Sequence, residues 1–320
     1  MVINMQLIKE TLKCQICNFQ SDFEEYNKNE ELYLYCPDCE HLIKANIPFL
    51  SLFKEFILFL INSILLLSIP LTSLFLFEVY DKWDKYLPFI FLFSGSILSI
   101  AYHEFFHAIT AFLLGDSSIF GQRYLRFDIR KYFHGFTSFL LPAALFFITG
   151  LFLPGAAVYF DGNKIQNRFH LALVFISGVI ANLIILLLIS YVINHYGEVL
   201  SEQTKILLHT LAFIQIIIIV FNLLPIPPLD GWGVISQLFN ESIINFFKKC
   251  GFYILIGFIS LGIYYELFIY LFPFYDYLTD FFNLSNDYIS QGWNHLILYD
   301  PKEIQNFLGI LLNKLNLNFF

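Results

Sequence analysis

Residues 87–114 read LPFIFLFSGSILSIAYHEFFHAITAFLL, an apolar run long enough to cross a membrane as a helix. His103 and His107 stand four positions apart, so their imidazoles share one helix face and can reach one metal ion. Glu104 follows the first histidine and can accept a proton from water at that metal. Ionisable side chains at membrane depth are costly, so three of them within five residues indicate a functional site. The stretch predicts a metal-dependent hydrolase that works inside the membrane.

The composition favours a membrane protein and argues against a nucleic-acid-binding one. The chain is 58% hydrophobic and 14% charged, whereas soluble domains are about 25% charged. Its net charge is −8, while contacts with phosphates need clustered Lys and Arg. We therefore expect an integral protein of a bacterial cytoplasmic membrane, in contact with the lipid bilayer and with no nucleic-acid partner.

The hydropathy pattern predicts an all-α polytopic membrane protein with about five to six transmembrane helices. The predicted spans are 56–77, 87–114, 169–193, 206–225 and 251–272. A further apolar run, 136–160, is interrupted by two prolines and two glycines, which favours a re-entrant segment.

Three regions follow from this pattern: a polar module over 1–48, a transmembrane core over 49–275 that contains the predicted hydrolase site, and a tail over 276–320. In the tail, Asp300, Pro301 and Glu303 are a favourable helix start. Apolar residues at helical spacing follow them, so we expect an amphipathic helix on the membrane surface.

The N-terminal module carries two Cys-x-x-Cys pairs, Cys14 with Cys17 and Cys36 with Cys39, separated by 18 residues. This spacing is typical of a zinc ribbon, in which four thiolates hold one structural Zn²⁺. Rubredoxin-like iron is the alternative metal, and two disulfides are the alternative if this end lies outside the cell. The segment 33–35 between the pairs is predicted to be a strand.

A third ligand for the site on 87–114 is found in NLLPIPPLDG, residues 222–231. A catalytic zinc needs three protein ligands and an open position. The prolines stop the helix and free backbone groups, which a membrane tolerates only beside protein or a cavity. Asp230 then lies where a buried loop can turn its carboxylate toward the metal.

Three segments in this order resemble the site-2 protease family of intramembrane zinc metalloproteases. HEFFHA at 103–108 matches the HExxH motif of the family, and NLLPIPPLDG at 222–231 matches its NxxPxPxLDG motif. SGVIAN at 177–182 is similar to the GPxxN helix, with Val179 where proline is usual. The resemblance covers about 87–240. It implies that His103, His107 and Asp230 are ligands of the catalytic Zn²⁺ and that Glu104 is the general base.

Three further residues are candidates for binding substrate. The resemblance implies that Asn182 lines the site, although a small-residue contact between helices is the alternative for its helix. Asn222 either lines the site or bonds backbone groups freed by the prolines. His134 either stabilises an oxyanion or lies at the membrane interface.

The ligands of one metal must share one depth in the membrane, and this constrains the topology. His103 and His107 lie in the later half of their span, and Asp230 follows the end of the 206–225 span. Both spans should therefore run in the same direction, so 136–160 must enter and leave by one face. The resulting arrangement has five spans, an N-terminus in the cytoplasm and an external tail, and it agrees with the positive-inside rule.

The sequence as a whole predicts a zinc metalloendopeptidase that cleaves peptide bonds within or next to transmembrane segments of membrane proteins. A membrane metal transporter is the first alternative, because some permeases also carry HExxH on a spanning helix. Such a protein should spread polar ligands over several helices, and here the 169–193 and 206–225 spans add only His170 and His209, near their ends. A catalytically silent relative that binds transmembrane helices is the second alternative, although all candidate ligands are present.

Overall fold

The computed structural model describes the strand residues between 12 and 44, and residues 49–79, 86–132, 158–165, 167–264 and 272–296. Ten helices lie in these ranges: α1 (Phe49–Val79), α2 (Tyr86–Leu113), α3 (Ser118–Gly121), α4 (Ile129–Tyr132), α5 (Arg168–Tyr196), α6 (Glu202–Leu223), α7 (Asp230–Ser236), α8 (Glu241–Tyr264), α9 (Phe272–Phe281) and α10 (Asn286–Leu296). Single 3-10 turns occupy Tyr124–Arg126 and Gly162–Lys164.

Four of these helices, α1, α2, α5 and α6, are long and apolar enough to span a membrane. Helices α1 and α5 contain the predicted spans 56–77 and 169–193 and are longer than them. Helix α2 agrees with 87–114 to within one residue at each end, and α6 begins four residues before and ends two residues before the predicted 206–225. In place of the span predicted over 251–272, the structure has α8, which starts ten residues earlier and is bent by 62° between Gly251 and Tyr253. The bend coincides with the predicted start of this span, because Lys248 and Lys249 interrupt the apolar pattern just before it. The predicted end of the span follows residues that the structure does not describe. Counted as one span, this bent pair would bring the total to five.

The strands of the described residues lie in the N-terminal region. β1 (Leu12–Lys13) pairs with β2 (Gln20–Ser21), while β3 (Glu24–Lys28), β4 (Glu31–Tyr35) and β5 (Leu42–Lys44) form an antiparallel sheet in that order. The strand predicted at 33–35 is thus confirmed as part of β4. Cys14, Cys17, Cys36 and Cys39 lie outside the described residues, so the zinc ribbon stays a prediction.

Helix α2 lies at the centre of the bundle and packs against α1, α5 and α6. Buried residues make up 61% of its most apolar window and 72% of that of α6, but only 17% of that of α1. Helix α1 therefore presents most of its apolar surface outward, as a helix at the lipid boundary does. Close packing of α2 and α6 uses Gly95, where an added Cβ would lie 3.2 Å from the side chain of Leu211.

Asp116 ties together the two ends of a long connection between α2 and α5. Its buried carboxylate accepts the backbone N–H of Ser118 at 3.0 Å and that of Asp161 at 2.7 Å. The ammonium of Lys164 lies 3.6 Å from the same carboxylate. The chain thus returns, just before α5, to the point where it left α2. The path of the predicted re-entrant run 136–160 lies mostly outside the described residues.

The first part of this connection, residues 116–132, covers one end of the bundle. The guanidinium Nε of Arg126 donates to both carboxylate oxygens of Glu55 on α1, at 2.8 and 2.7 Å. The backbone carbonyl of Arg126 accepts a hydrogen bond from Asn62, also on α1, at 2.7 Å. Buried aromatic side chains from Phe127 and Tyr132 fill the space between α1 and α2.

The tail begins with helices that pack into the bundle. Leu296, at the end of α10, is fully buried against α2 and α6. Gly292 lies so close to Thr210 on α6 that an added Cβ would overlap the threonine hydroxyl. The amphipathic helix predicted after Asp300 lies outside the described residues.

Candidate metal centre

Two histidines of α2 and an aspartate more than a hundred residues later in the sequence meet inside the bundle. His103 and His107 project from the C-terminal half of α2, and Asp230 is the first residue of α7, just after the proline-rich break. The Nε2 atoms of the two imidazoles are 3.0 Å apart. Asp230 Oδ2 lies 2.9 Å from Nε2 of His103, and Oδ1 lies 3.4 Å from Nε2 of His107.

The hydrogen bonds on the far side of each imidazole determine which nitrogen carries the proton. Nδ1 of His103 lies 2.5 Å from the amide oxygen of Asn182, and Nδ1 of His107 lies 2.7 Å from the backbone carbonyl of Val174. Both partners are acceptors, so both Nδ1 atoms carry hydrogen and both neutral rings present a lone pair at Nε2. Asp230 Oδ2 likewise has no hydrogen-bond donor among the described residues.

The arrangement of these atoms fits a divalent metal ion. Bonds of about 2.0–2.1 Å at tetrahedral angles place zinc ligands roughly 3.3 Å apart, and the three contacts measure 2.9, 3.0 and 3.4 Å. At these distances the lone pairs of the two Nε2 atoms and of the carboxylate oxygens repel one another. A proton would relieve this repulsion in one contact, whereas a cation at the centre would relieve it in all three. Among the described residues, these three form the one group of His, Cys, Asp and Glu with metal-binding geometry.

Glu104 lies beside the two histidines and is 5% exposed. Its Oε2 accepts the backbone N–H of Val158 at 2.8 Å, and the next amide, of Tyr159, donates to the phenol oxygen of Tyr124 at 3.5 Å. Burial raises the pKa of Tyr124 and of Tyr132, so both phenols stay protonated. Residues 158–161 are thereby held against the site, and Glu104 has a fixed orientation.

Gly178 on α5, the glycine of the GPxxN-like stretch, is a site residue to which the sequence analysis gave no role. A Cβ at this position would lie 2.4 Å from Nε2 of His107 and 2.6 Å from Nε2 of His103. Only glycine therefore lets α5 approach the two imidazoles this closely. The signal in the sequence was its place as the glycine of the stretch 177–182, which is similar to the GPxxN helix and for which a small-residue helix contact was the alternative.

Asn182 is fully buried and belongs to a polar cluster between α2, α5 and α6. Its amide nitrogen donates to Ser99 Oγ at 2.7 Å and to Gln215 Oε1 at 3.1 Å, while Ser99 donates to Gln215. These contacts lie within the protein, and the proposed role of Asn182 in binding substrate stays a prediction. Sequence reasoning missed Ser99 and Gln215. The available signal was a polar glutamine inside the apolar run LAFIQIIIIVF, because such a residue is energetically unfavourable at membrane depth.

The structure does not link the remaining candidates to the three ligands through a described hydrogen bond. Asn222 is buried in the last turn of α6, and the described hydrogen bonds of the three candidate ligands do not include it. His134 lies outside the described residues, as do the four cysteines of the N-terminal module.

Comparison with known proteins gives similarity to zinc metalloproteases over part of the chain. No family model matches, and no solved structure matches. A protein of Mycolicibacterium smegmatis named "Putative zinc metalloprotease Rip2" is 30% identical over 152 residues, 48% of this chain and 58% of the relative. Its namesake in Mycobacterium tuberculosis is 33% identical over 148 residues, 46% of this chain and 57% of the relative. The chain thus spans little more than half the length of these curated relatives, and the similarity supports a relationship to zinc metalloproteases.

Proposed function

We propose that this protein is an intramembrane zinc metalloprotease of the site-2 type, which hydrolyses peptide bonds within or next to transmembrane segments of other membrane proteins. The observation that carries this proposal is the convergence of three lone-pair donors, with a carboxylate beside them, among helices apolar enough to span a membrane. In a purely structural trio a proton could relieve only one of the three close contacts between the imidazoles and Asp230, at a depth where water cannot screen the others.

The proposed roles follow from the contacts of each group. His103, His107 and Asp230 would hold Zn²⁺, which when bound polarises a peptide carbonyl and activates water as a nucleophile. Glu104 would take the proton of that water and pass it to the leaving amine. Because the amide of Val158 holds Oε2 of Glu104, the carboxylate keeps one orientation through both proton transfers.

The topology required for this function places both metal-binding helices in the same direction across the membrane. Asp116 binds both ends of the connection between α2 and α5, as expected if 136–160 enters and leaves by one face. We therefore also propose a re-entrant segment and an N-terminus in the cytoplasm. Single cysteines placed within 123–131 and within 161–168 should react from the same side of the membrane, and labelling from opposite sides would reject this topology.

The N-terminal module is proposed to hold a second, structural Zn²⁺ through Cys14, Cys17, Cys36 and Cys39. The spacing of the two Cys-x-x-Cys pairs supports this, and a module this short needs a metal to fold. The thiolates would remain reduced on the cytoplasmic side proposed above.

Glu104→Gln is the variant that tests the proposed activity. The amide keeps the size of the side chain but cannot act as a base, so cleavage of a tagged membrane substrate should fall by about 100-fold or more. Zinc content should stay near that of the wild type, because Glu104 is not one of the proposed ligands. Membrane proteomics of cells carrying this variant should show a transmembrane stub that accumulates. Retained cleavage in the variant would remove the proposal.

The alternative function, metal transport, predicts that the protein carries zinc across a membrane. Transport needs ligands along a path, whereas the described residues offer one compact group of three. Proteoliposomes containing the wild-type protein should therefore show no zinc uptake above that of empty vesicles.

A further inference from the structure

The polar cluster behind His103 has a role that the proposed zinc chemistry does not yet explain. Ser99, Asn182 and Gln215 come from three different helices and are each 1% exposed or less. Polar side chains at membrane depth are unfavourable unless their hydrogen bonds are made. Even so, Nε2 of Gln215 has no partner among the described residues. Because this unpaired amide nitrogen costs free energy, packing alone does not explain a glutamine at this position.

If His103 binds a metal ion, the direction of every hydrogen bond in this cluster is determined. The imidazole can bind a metal through Nε2 only if Nδ1 carries the hydrogen. Nδ1 then needs an acceptor, which is the oxygen of Asn182 at 2.5 Å. With its oxygen used in this way, the Asn182 amide must present its nitrogen to Ser99 and Gln215.

Those two residues complete the assignment. Ser99 Oγ accepts one hydrogen of the Asn182 amide and donates its own to Gln215 Oε1, which also accepts from Asn182. The opposite orientation of the Asn182 amide would place its nitrogen against Nδ1 of His103. The hydrogen of that ring would then move to Nε2 and occupy the position of the metal.

We propose that Gln215 and Ser99 are positioning residues, which hold the Asn182 amide so that His103 presents a lone pair to zinc. This inference rests on the proposed zinc site and adds two residues outside the three motifs. Neither side chain contacts the candidate metal position, so each acts through Asn182. Outer partners of this kind alter metal affinity by about 10–100-fold when they are removed.

A serine outside the cluster, on the same helix, offers a matched control. Ser96 lies one turn before Ser99 on α2 and is equally buried, but its hydroxyl donates to the backbone carbonyl of Leu92 at 2.7 Å. Ser96→Ala and Ser99→Ala therefore delete the same atom from the same helix. The first leaves the Asn182 amide untouched, and the second removes one of its two acceptors.

The test measures zinc affinity in full-length protein in detergent, by competition with a chelator of known affinity. The four-cysteine module is the same in every variant, so differences between variants report on the membrane site. We expect Gln215→Leu to weaken zinc binding by about 10–100-fold and Ser99→Ala by about tenfold. Ser96→Ala should match the wild type. Gln215→Glu keeps the acceptor and should bind zinc more tightly than Gln215→Leu.

Two further measurements separate positioning from loss of structure. Thermal unfolding of each metal-free variant should remain cooperative, which shows that the variant folds, and the cobalt-substituted form of Gln215→Leu should show altered visible bands. Equal zinc affinity in the wild type, Ser99→Ala and Gln215→Leu would overturn the inference while leaving the proposed function intact. Equal weakening by Ser96→Ala and Ser99→Ala would overturn it as well. Zinc content in Asp230→Ala equal to that of the wild type would overturn the proposed function itself.

Discussion

Two kinds of buried histidine in this bundle differ in what faces Nδ1. At His103 and His107, Nδ1 faces the oxygen of Asn182 and the carbonyl of Val174, both acceptors. At His209 on α6, Nδ1 accepts the backbone N–H of Ser285 at 3.0 Å, so the neutral ring carries its hydrogen on Nε2.

All three imidazoles are 3–6% exposed, and burial alone therefore does not distinguish them. The distinction is the direction of one hydrogen bond. An acceptor behind the ring leaves a lone pair for a metal, while a donor behind the ring leaves an N–H that cannot bind one. The structure thus supports a metal-binding role for the pair on α2 and a structural role for His209, which anchors the start of α10.

The largest expected effect that tests this comparison is the loss of zinc on removing a proposed ligand. His103→Ala should weaken zinc binding at the membrane site by more than about 100-fold, because even outer partners of metal ligands are worth about 10–100-fold. Chelator competition on the full-length protein measures this affinity, and peptide cleavage should disappear with the metal. If zinc binding persisted in this variant, the two kinds of histidine would not differ as described.

A smaller effect is expected from closing the space that α5 leaves for the imidazoles. In Gly178→Ala the new Cβ would lie 2.4 Å from Nε2 of His107, so the ring must move away from the metal position. We expect zinc affinity to fall by about 10–100-fold, as for other changes that displace a ligand.

Gly257→Ala is the matched control for this prediction, because a Cβ at Gly257 meets nothing within 4 Å. It should leave zinc affinity at the wild-type value. If Gly178→Ala bound zinc as well as Gly257→Ala, the close approach of α5 would have no part in building the site.

The smallest effect on the metal is expected at the histidine of the other kind. His209→Leu leaves the partly buried N–H of Ser285 without its acceptor, which should lower the free energy of unfolding by about 1 kcal/mol. Zinc content should not change. Thermal unfolding in detergent and metal analysis of the same sample separate the two effects. A loss of zinc comparable to that of His103→Ala would contradict the assignment of His209.

The spanning helices and the three candidate ligands could be predicted from the sequence, because apolar runs and the two motifs are strong patterns. A long apolar run can satisfy its backbone within a membrane only as a helix, which is why four spans were located to within a few residues. The bent helix α8 was placed less well, since Lys248 and Lys249 break its hydropathy without breaking the helix.

The parts of the site that sequence reasoning missed are those that depend on tertiary packing. Gly178 lies at the glycine of the GPxxN-like stretch, but its role depends on the distance between α5 and the imidazoles, which no spacing rule gives. Ser99 and Gln215 are common residue types, and only their contact with Asn182 gives them a role. The orientation of Glu104 likewise depends on the amide of Val158, a backbone group without any side-chain signal.

The central claim is that two imidazoles and one carboxylate hold a single zinc ion within the membrane, and X-ray absorption at the zinc edge tests it most directly. The sample is the zinc-loaded full-length protein in which Cys14, Cys17, Cys36 and Cys39 are all replaced by Ser, so that the membrane site alone contributes. The account predicts bound zinc with nitrogen and oxygen neighbours at about 2.0–2.1 Å and the outer scattering of two imidazoles. Absence of bound zinc, or zinc without imidazole scattering, would contradict it.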